Sequence, residues 1–386
     1  MAALDWLIIG GGVHGTHLSH MLVNQAGVSA SRIRVVDPHE RPLAAFWQAT
    51  AATGMSYLRS SGVHHLDVHP YALRRYAKRS AGRRVARFVY PYYRPGLELF
   101  RSHTEAVVRD HQLEALRERG RAIALSRIES GYRIETDRGE LTSKRVVIAI
   151  GLGEQLCVPD WAREVPVEHM FAPTFDRAPL RGRSVAIIGG GISAAQLACA
   201  LGGTAGHVTI IARHLPRIHR LDSDPEWLGP KAMSHFERVK DLRERRRLIV
   251  EARHRGSMPP EMATALRREM DSGRVEWLQA SVVAATAQSG EVRLELDRDK
   301  KQLTVGRIVL ATGFETHRPG GSLLDNAAVD ALGLRCAACG YPIVSRHLEW
   351  GKGLFVTGPL AELELGPTAR NIAGARAAAR RLLAAA

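Results

Sequence analysis

The chain has 386 residues, of which 45% are hydrophobic and 24% are charged, and its formal net charge is +15. This length suffices for two or three ordinary domains, and the composition is that of a folded globular protein rather than a disordered or fibrous one. No apolar stretch approaches the roughly 18 residues of a membrane helix, and the N-terminus lacks the basic start of a secretory signal. We therefore expect a cytoplasmic protein without membrane association.

The first predicted strand, Leu7–Ile9, leads into Gly10-Gly11-Gly12-Val13-His14-Gly15, a turn that fits G-x-G-x-x-G. In a strand–turn–helix unit, Gly10 permits a tight turn, Gly12 lets the backbone approach a diphosphate, and Gly15 lets helix and strand pack closely. The free N–H groups at the start of the helix then bind the anion. A single turn of this kind is a weak signal, because a glycine turn can serve packing alone.

The same pattern recurs far along the chain, where Val185–Ile188 runs into Gly189-Gly190-Gly191-Ile192-Ser193-Ala194 and fits G-x-G-x-x-A. Gly189 and Gly191 take the roles of the first two glycines, and Ser193 stands in the first turn of the following helix. Because the unit is repeated in full, we predict two dinucleotide sites rather than two packing turns.

The residues that follow the next strand differ between the two copies. Ile33–Val36 ends in Asp37, where an acidic residue hydrogen-bonds a ribose hydroxyl, whereas Val208–Ile211 is followed by Arg213, a cation that suits a 2′-phosphate. This asymmetry predicts FAD at the first turn and NADPH at the second. A surface carboxylate and a solvated arginine are the structural alternatives at these two positions.

Each copy continues with short alternating strands and closes on a buried strand that meets a glycine. The predicted strands of the two copies are 122–129, 132–136, 140–142 and 145–150, then 276–284, 292–296, 302–305 and 307–311. Strands that alternate with helices predict an α/β fold with two Rossmann-like, doubly wound parallel sheets.

The sequence after Gly313 is too short for a third domain, and the helical periodicity of Asn371–Ala385 predicts a helix that packs on the first domain. We therefore predict an FAD-binding domain made of residues 1–178 and 316–386. We predict that an NADPH-binding domain, residues 179–315, is inserted into this FAD-binding domain.

This order of motifs resembles that of the two-dinucleotide-binding flavoproteins, in particular the flavin-dependent N-hydroxylating monooxygenases of lysine and ornithine. The stretch that runs along the isoalloxazine ring in that family is similar to the segment containing Trp47, Gln48, Met55, Leu58 and Arg59. Weaker similarities extend over nearly the whole chain: Pro95–Val107, Ser193–Ala195, Asp222–Pro225, Ala311–Phe314, Gly358–Leu360 and Leu363–Pro367. The resemblance implies that Thr312, Gly313, Gly358, Leu365 and Pro367 also bind the cofactors.

The resemblance implies a reaction type. NADPH reduces FAD, O2 adds at C4a of the flavin, and the C4a-hydroperoxyflavin oxygenates a soft nucleophile such as a small amine. This chain is shorter than those enzymes, and their amino-acid-binding residues do not align onto it, so lysine and ornithine are not carried over as substrates. We expect an NADPH- and FAD-dependent monooxygenase that N-hydroxylates a small amine, with an anionic group on the amine and homo-oligomerisation left open.

Two residues are candidates for a catalytic role. Arg59 stands where the resembling family has a lysine, and it is placed to steady charge on the flavin or a substrate carboxylate. Among the histidines that follow this segment, we take His65 as the candidate proton donor or anion ligand. A surface arginine and an ordinary core histidine are the structural alternatives.

The pair Cys336-Ala337-Ala338-Cys339 leaves three interpretations open: a structural role, a redox dithiol, or half of a zinc site. A zinc site would need two further nearby ligands that the sequence does not offer, so we predict no metal. A redox dithiol would make the protein an NADPH- and FAD-dependent reductase.

A third possibility is an FAD-binding sensor without turnover whose basic surface contacts nucleic acid. The most concentrated basic run, Arg243–Arg247, lacks interleaved aromatic residues and any groove-reading motif. We therefore predict that this run is a solvated helix face and that nucleic acid is not a partner.

Overall fold

The computed structural model describes residues 4–298 and 301–384. The strands are β1 (Leu4–Ile9), β2 (Ile33–Asp37), β3 (Phe88–Val89), β4 (Arg94–Pro95), β5 (Arg117–Arg119), β6 (Ala122–Ile128), β7 (Gly131–Thr136), β8 (Gly139–Ile148), β9 (Glu168–His169), β10 (Ser184–Ile188), β11 (His207–Ala212), β12 (Arg217–Ile218), β13 (Ser257–Met258), β14 (Val275–Gln279), β15 (Val282–Gln288), β16 (Glu291–Leu296), β17 (Gln302–Val305), β18 (Arg307–Leu310), β19 (Glu349–Gly351) and β20 (Leu354–Val356). The α-helices are α1 (Val13–Asn24), α2 (Ala44–Thr53), α3 (Ala72–Tyr76), α4 (Ser80–Val85), α5 (Leu97–Asp110), α6 (Ile192–Leu201), α7 (Pro230–Arg238), α8 (Leu242–Ala252), α9 (Pro260–Asp271), α10 (Asn326–Ala331), α11 (Glu362–Leu365) and α12 (Ile372–Leu383).

The first sheet has the strand order β19-β20-β8-β1-β2-β5, with the hairpin of β6 and β7 attached to β8. Strand β1 lies between the parallel strands β2 and β8, so that Ile9 is paired with Val36 on one side and Ile148 on the other. Both faces of this sheet are covered, which is why its central strands are continuous apolar runs rather than alternating ones. The predicted C-terminal helix is present as α12, which packs against α1; Ala385 lies outside the described residues.

The second sheet has the order β14-β11-β10-β18-β9, and all of its pairings are parallel. Strands β19 and β20, which come later in the chain, return to the first sheet and pair there with β8. The predicted fold class, two Rossmann-like domains with one inserted into the other, is confirmed. Edge strand β9 precedes residue 179 but belongs to the second sheet, because its backbone pairs with β18.

Two of the predicted strand boundaries are wrong. The stretches predicted as 140–142 and 145–150 form one strand, β8, because its first half pairs antiparallel with β7 and its second half pairs parallel with β1. The stretch predicted as 276–284 is two strands, since β14 follows β11 only as far as Gln279 and the chain then turns into the hairpin of β15 and β16.

The two domains are joined by a cluster of charges around a fully buried carboxylate. Glu362, at the start of α11 in the first domain, accepts hydrogen bonds from Arg246 and Arg253 of the second domain and from Arg370 of its own domain. The Arg253 Nη2 to Glu362 Oε2 distance is 2.7 Å. Burial raises the pKa of Glu362, but the three arginines outweigh burial and lower it to about 2. The carboxylate is therefore ionised throughout the neutral range.

The prediction of a solvated face at Arg243–Arg247 is wrong in part. Arg245 donates to the Glu364 carboxylate at 2.8 Å, and only about a tenth of its side chain is exposed. Arg247 is exposed, as predicted, and pairs with two glutamates of its own helix. A charge run does not indicate which of its members face a second domain, because the partners lie more than a hundred residues away.

We expect the Glu362→Gln variant to be less stable than the wild type by about 3 kcal/mol, because three arginines lose their common counter-charge in a buried site. Urea unfolding would measure this. The folded-state pKa lies below the ordinary value of 4.5, so the stabilisation is present above 4.5 and is lost as the pH falls toward 2. The difference between variant and wild type should shrink over that range.

The matched control is Glu251→Gln, which removes an exposed partner of Arg247 and should cause a much smaller loss. Equal losses for the two variants would contradict a central role for the buried cluster.

Candidate cofactor and substrate cleft

The first glycine turn has the geometry that a diphosphate needs. Gly10 has φ +111°, and a Cβ there would lie 2.5 Å from the carbonyl oxygen of Ala149. A Cβ on Gly15 would lie 1.8 Å from the carbonyl oxygen of Gly10, so helix α1 touches the turn directly. Gly12, by contrast, has no atom within 4 Å of its Cβ position, and no side chain caps the helix that starts after it. This open space beside free N–H groups fits a phosphate of FAD.

Asp37 lies at the predicted place but is already bound by the protein. Its Oδ2 accepts the N–H of Gly11 at 2.6 Å, and its Oδ1 accepts the N–H of His39 at 2.9 Å. A nitrogen of the Arg117 guanidinium lies 3.8 Å from Oδ1. Asp37 thus fastens the glycine turn to β2, and its contact with a ribose stays a prediction.

His14, inside the first turn, carries an unpartnered buried nitrogen. Its Nδ1 is 2.8 Å from Oγ1 of Thr357, whereas its Nε2 has no hydrogen-bond partner among the described residues. Burial lowers the pKa of His14 to about 4, against the nearby backbone of Arg370 and Asn371, which raises it, so the ring is neutral at neutral pH. The ring also faces Gly358, the predicted flavin-side glycine, whose φ is +66° and whose Cβ position is 3.7 Å away from it. An orphaned donor or acceptor at this point fits a bound cofactor.

The second turn is narrower than the first. A Cβ on Gly189 would lie 2.5 Å from the carbonyl oxygen of Ala311, which reproduces the tight turn of Gly10. The Cβ position of Gly191 is 3.4 Å from Cα of Gly256, so the loop before β13 lies close to the turn. Ser193 stands in the first turn of α6, as predicted.

Arg213 is exposed at the end of β11 and makes no hydrogen bond or ion pair among the described residues. The next residue, His214, places its ring beside Gly190 and Gly256. A Cβ added to Gly256 would lie 2.7 Å from Nε2 of His214. A charged guanidinium at the carboxyl end of this strand, beside the glycine turn, fits the 2′-phosphate of NADPH.

Four predicted flavin-side residues lie on α2 or just after it: Trp47, Gln48, Met55 and Leu58. Trp47 packs against Phe100 with ring centroids 6.0 Å apart, and Leu58 is buried in the core of the first domain. Gln48 is exposed, and its Nε2 donates to the carbonyl oxygen of Pro173, in the segment that leads to the second domain.

Arg59 connects the two domains. Its guanidinium donates to the carbonyl oxygens of His219 and Leu221 and to Oγ of Ser257, at 2.7, 2.9 and 2.8 Å, and its Nη1 lies 2.9 Å from Oδ1 of Asp222. These partners belong to the loop predicted on the nicotinamide side and to β13. The structure therefore places Arg59 as a cross-domain contact, and its direct contact with flavin or substrate stays a prediction.

His65 lies in the interior of the first domain rather than at the cleft. Its Nε2 is 3.1 Å from the carbonyl oxygen of Pro70, and its ring meets that of His103 edge-on at 5.0 Å. Burial, with help from His103 and Arg376, lowers the pKa of His65 to about 2. A group that stays neutral and enclosed is poorly placed to donate a proton. Its neighbour His64 is the histidine that lines the cleft.

The remaining predicted cofactor residues also lie between the domains. Thr312 donates its hydroxyl to the carbonyl oxygen of Cys157, and the carbonyl oxygen of Gly313 accepts from Nε2 of His169 at 3.1 Å. The carbonyl oxygen of Pro367 accepts from the Arg253 guanidinium at 3.1 and 3.2 Å. The structure thus brings the predicted C-terminal flavin stretch against the second domain.

A cavity of about 450 Å³ opens between the domains. It is lined by residues that follow the flavin-side segment, by residues that follow the nicotinamide-side loop, and by the C-terminal stretch with α12. These are Val63, His64, Pro70, Trp227, Leu228, Gly229, Pro230, Met233, Ser234, Glu237, Leu365, Thr368, Ala373, Arg376, Ala377, Arg380 and Arg381. Its size is in the ordinary range for small-molecule sites.

Cys336 and Cys339 lie on the loop between α10 and β19 and are not among the lining residues of this cavity, although Ala337 between them packs in one cluster with the lining residues Trp227 and Met233. All four cysteines are free thiols, and Sγ of Cys336 accepts from the Arg318 guanidinium at 3.1 Å. Cys339 is exposed. Within residues 4–298 and 301–384, no group of three or more His, Cys, Asp or Glu side chains is arranged to hold a metal ion.

Sequence reasoning missed several functional contacts. His14 carried a signal, because it stands inside the glycine turn. The ion pair between the buried Arg94 of the first domain and Glu261 of α9, and the Glu362 cluster, carried none, since each joins residues more than a hundred positions apart. Arg380 was not singled out, because a helix-borne arginine has no distinctive sequence context.

Two family models match parts of the chain. Residues 7–153 match a model described as FAD-NAD(P)-binding, and residues 93–255 match one described as pyridine nucleotide-disulphide oxidoreductase. Together they include both glycine turns. Among curated proteins, no sequence matches this chain. Of the helices in the described part of the chain, none is both long and apolar enough to cross a bilayer.

Solved structures with the same architecture include ornithine N-hydroxylases. The reduced ornithine hydroxylase PvdA of Pseudomonas aeruginosa has a TM-score of 0.78 and 17% identity, covering 100% of this chain and 98% of that one. The ornithine N-hydroxylase KtzI of Kutzneria sp. 744, with reduced FAD, NADP+ and L-ornithine, has a TM-score of 0.78 and 17% identity, covering 99% and 98%. The bacillithiol disulfide reductase Bdr of Bacillus cereus has a TM-score of 0.63 and 16% identity and covers both chains fully.

The chain therefore has the fold of a flavoprotein with two dinucleotide-binding domains. The resemblance predicted from the sequence is confirmed at the level of the fold, and the predicted cofactors FAD and NADP are confirmed by the family description FAD-NAD(P)-binding.

The two glycines of the first turn should respond differently to the same substitution. Gly12→Ala adds a Cβ into open space at φ −73°, so the fold should keep its stability while FAD affinity falls at least about tenfold, because the methyl group occupies the phosphate position. Gly15→Ala should lower the free energy of unfolding by about 1–3 kcal/mol, because its Cβ would meet a backbone oxygen.

FAD titration and urea unfolding of the flavin-free protein would measure the two effects separately. Loss of stability in Gly12→Ala, or unchanged FAD affinity, would contradict the assignment of the phosphate site.

Proposed function

We propose that this protein is an NADPH- and FAD-dependent monooxygenase that N-hydroxylates a small amine. The observation that carries the proposal is the cavity between the domains, because three segments that the resemblance assigns to the two cofactors converge on it. Val63 and His64 follow the flavin-side segment, Trp227 follows the nicotinamide-side loop, and Leu365 belongs to the C-terminal flavin stretch. A substrate in this cavity would therefore lie beside both cofactors.

The overall reaction consumes NADPH, a proton, O2 and the amine, and it yields NADP+, the hydroxylamine and water. Bound FAD supplies the chemistry that takes hydride from NADPH and passes one oxygen atom of O2 to the amine nitrogen. The residues of this chain bind, orient and shield the reactants. The likeness to N-hydroxylating enzymes supports this reaction over other uses of the same fold.

Binding of the two coenzymes would use the glycine turns. The N–H groups that follow Gly12 and the free nitrogen of His14 would hold FAD, with Gly358 leaving room beside the ring of His14. The N–H groups that follow Gly191 would hold the diphosphate of NADPH, and Arg213 would pair with its 2′-phosphate. Charge-assisted pairing to phosphate is the strong form of hydrogen bond.

The walls of the cavity would limit water. Trp227, Leu228, Met233 and Leu365 present apolar surface, and such a wall protects a reactive oxygen donor from hydrolysis. Burial, together with the neighbouring Arg376 and Arg380, lowers the pKa of His64 to about 4, so its ring is neutral. A neutral imidazole offers the substrate one donor and one acceptor without adding charge.

A disulfide reductase is the second candidate, because residues 93–255 match an oxidoreductase model of that description and Bdr shares the fold. The dithiol would be Cys336 and Cys339. Neither cysteine lines the cavity, which favours the monooxygenase.

The FAD-loaded protein, supplied with NADPH, labelled O2 and a panel of small amines, should produce a hydroxylamine that carries the label. One NADPH should be consumed for each product molecule. The double variant Cys336→Ser/Cys339→Ser should have unchanged activity. Conversion of all O2 to hydrogen peroxide with every amine, or loss of NADPH oxidation in the double variant, would refute the proposal.

The Arg213→Ala variant should have a KM for NADPH that is raised about tenfold or more, with the KM for NADH unchanged, because only NADPH carries the phosphate. Arg181→Ala is the matched control: Arg181 is exposed but precedes β10, at the opposite edge of the sheet from the glycine turn. Steady-state kinetics with both coenzymes decides the matter, and equal changes for NADPH and NADH would rule out the 2′-phosphate contact.

A further inference from the structure

The cavity between the domains contains more positive charge than its surroundings neutralise. Three arginines of α12 line it: Arg376, Arg380 and Arg381. Arg381 is paired with Glu237 and Glu364, each at 2.7 Å. Among the described residues, Arg376 and Arg380 form no ion pair. Two cations on one side of the cavity therefore lack a counter-charge.

Arg376 is buried, so holding its charge without a carboxylate partner costs free energy. Its guanidinium donates only to backbone carbonyl oxygens, those of His65, Asp67 and Val68. Burial and the adjacent Arg380 together lower the pKa of Arg376 to about 10, while Asp67 opposes the shift. Buried charges are normally paired, so an anion near Arg376 would be favoured, whereas Arg380 is exposed and can meet such an anion from the solvent side.

Arg380 is the residue of this pair that has its donors available. The side chain of Arg380 donates no hydrogen bond within the described residues, whereas the guanidinium of Arg376 donates to backbone carbonyl oxygens. Both project from one face of α12, four positions apart, so their charges reinforce each other along one wall. A guanidinium with free donors can hold a carboxylate or phosphate through two parallel hydrogen bonds.

Much of the remaining lining is apolar. Trp227, Leu228, Pro230, Met233 and Leu365 contribute it, and Glu237, the acidic residue on the lining, is engaged by Arg381. An apolar chain or ring gains from contact with such a wall, whereas a second cation on the ligand would meet the two uncompensated arginines. The cavity therefore distinguishes between the two ends of its ligand.

We propose that the substrate is an amine that carries an anionic group on an apolar body, and that Arg380, supported by Arg376, binds the anionic group. This rests on the N-hydroxylation proposed above and adds the substrate class to it. Arg59, the residue that the sequence suggested for a substrate carboxylate, is bound to Asp222, Ser257 and neighbouring carbonyls. We therefore assign recognition of the anionic group to α12 rather than to Arg59.

Three six-carbon amines of matched length test the proposal: ε-aminocaproate, hexylamine and hexamethylenediamine, whose far ends are anionic, apolar and cationic. Binding to the FAD-loaded enzyme without NADPH is measured by calorimetry, so the readout does not depend on turnover. We expect ε-aminocaproate to bind at least tenfold more tightly than hexylamine, and hexamethylenediamine to bind most weakly.

Variants of Arg380 separate recognition of the anion from general damage. Arg380→Ala should weaken ε-aminocaproate at least tenfold and leave hexylamine unchanged, Arg380→Lys should restore part of the loss, and Arg380→Glu should favour the diamine. Arg84→Ala, an exposed arginine of α4, is the control and should change nothing.

Equal affinities for the three amines, equal losses in Arg380→Ala, or no binding of any amine would overturn the proposal. If the expected order of affinities holds but no hydroxylamine forms with NADPH and O2, the anion site stands and the proposed reaction fails. If hydroxylamines form without preference for the anionic amine, the reaction stands and this inference fails.

Discussion

The structure depends on a buried carboxylate shared by two domains. Glu362 is enclosed, and three arginines, two of them from the other domain, keep it ionised. A charge this deeply buried is tolerated only when its partners stay in place, so the cluster resists separation of the domains. The cavity lies beside it, because α11 contributes Glu362 to the cluster and Leu365 to the cavity wall. The geometry of the cleft is therefore a consequence of an ion cluster outside it.

A second set of contacts links the two glycine turns. Gly256 approaches the second turn, and the following residue, Ser257, accepts a hydrogen bond from Arg59 of the first domain. On the other side, Gly358 faces His14 within the first turn. Each coenzyme loop is thus supported by a residue from a distant part of the chain. The arrangement suits hydride transfer, because neither domain can shift far without breaking a charged or buried contact.

Local sequence patterns were sufficient to predict the elements whose structure depends on neighbouring residues in the chain. The glycine turns, their strands and the return of the C-terminal helix to the first domain followed from spacing and periodicity, because those signals depend on local backbone geometry. The boundaries of β8 and β14 did not, since each depends on where a neighbouring strand stops pairing. The sequence likewise identified a region around Arg59 and His65 but not the direction in which each side chain points.

The charged contacts could not have been predicted from one sequence. Arg245 and Arg247 stand two positions apart on one helix, yet one is bound to a glutamate of the other domain and the other is solvated. The same ambiguity applies to α12, where Arg380 and Arg381 are adjacent and only Arg381 has a carboxylate partner among the described residues. Charge patterning predicts that such residues favour a surface, and only the tertiary fold decides which surface.

The central claim is that one cleft brings the two coenzymes together for hydride transfer. Anaerobic rapid mixing of the FAD-loaded protein with NADPH, and with NADPH deuterated at the transferred position, tests it most directly. The account predicts that the yellow absorbance of oxidised flavin disappears in a single turnover and that deuterium slows this step. Flavin that remains oxidised in the presence of saturating NADPH would contradict the account.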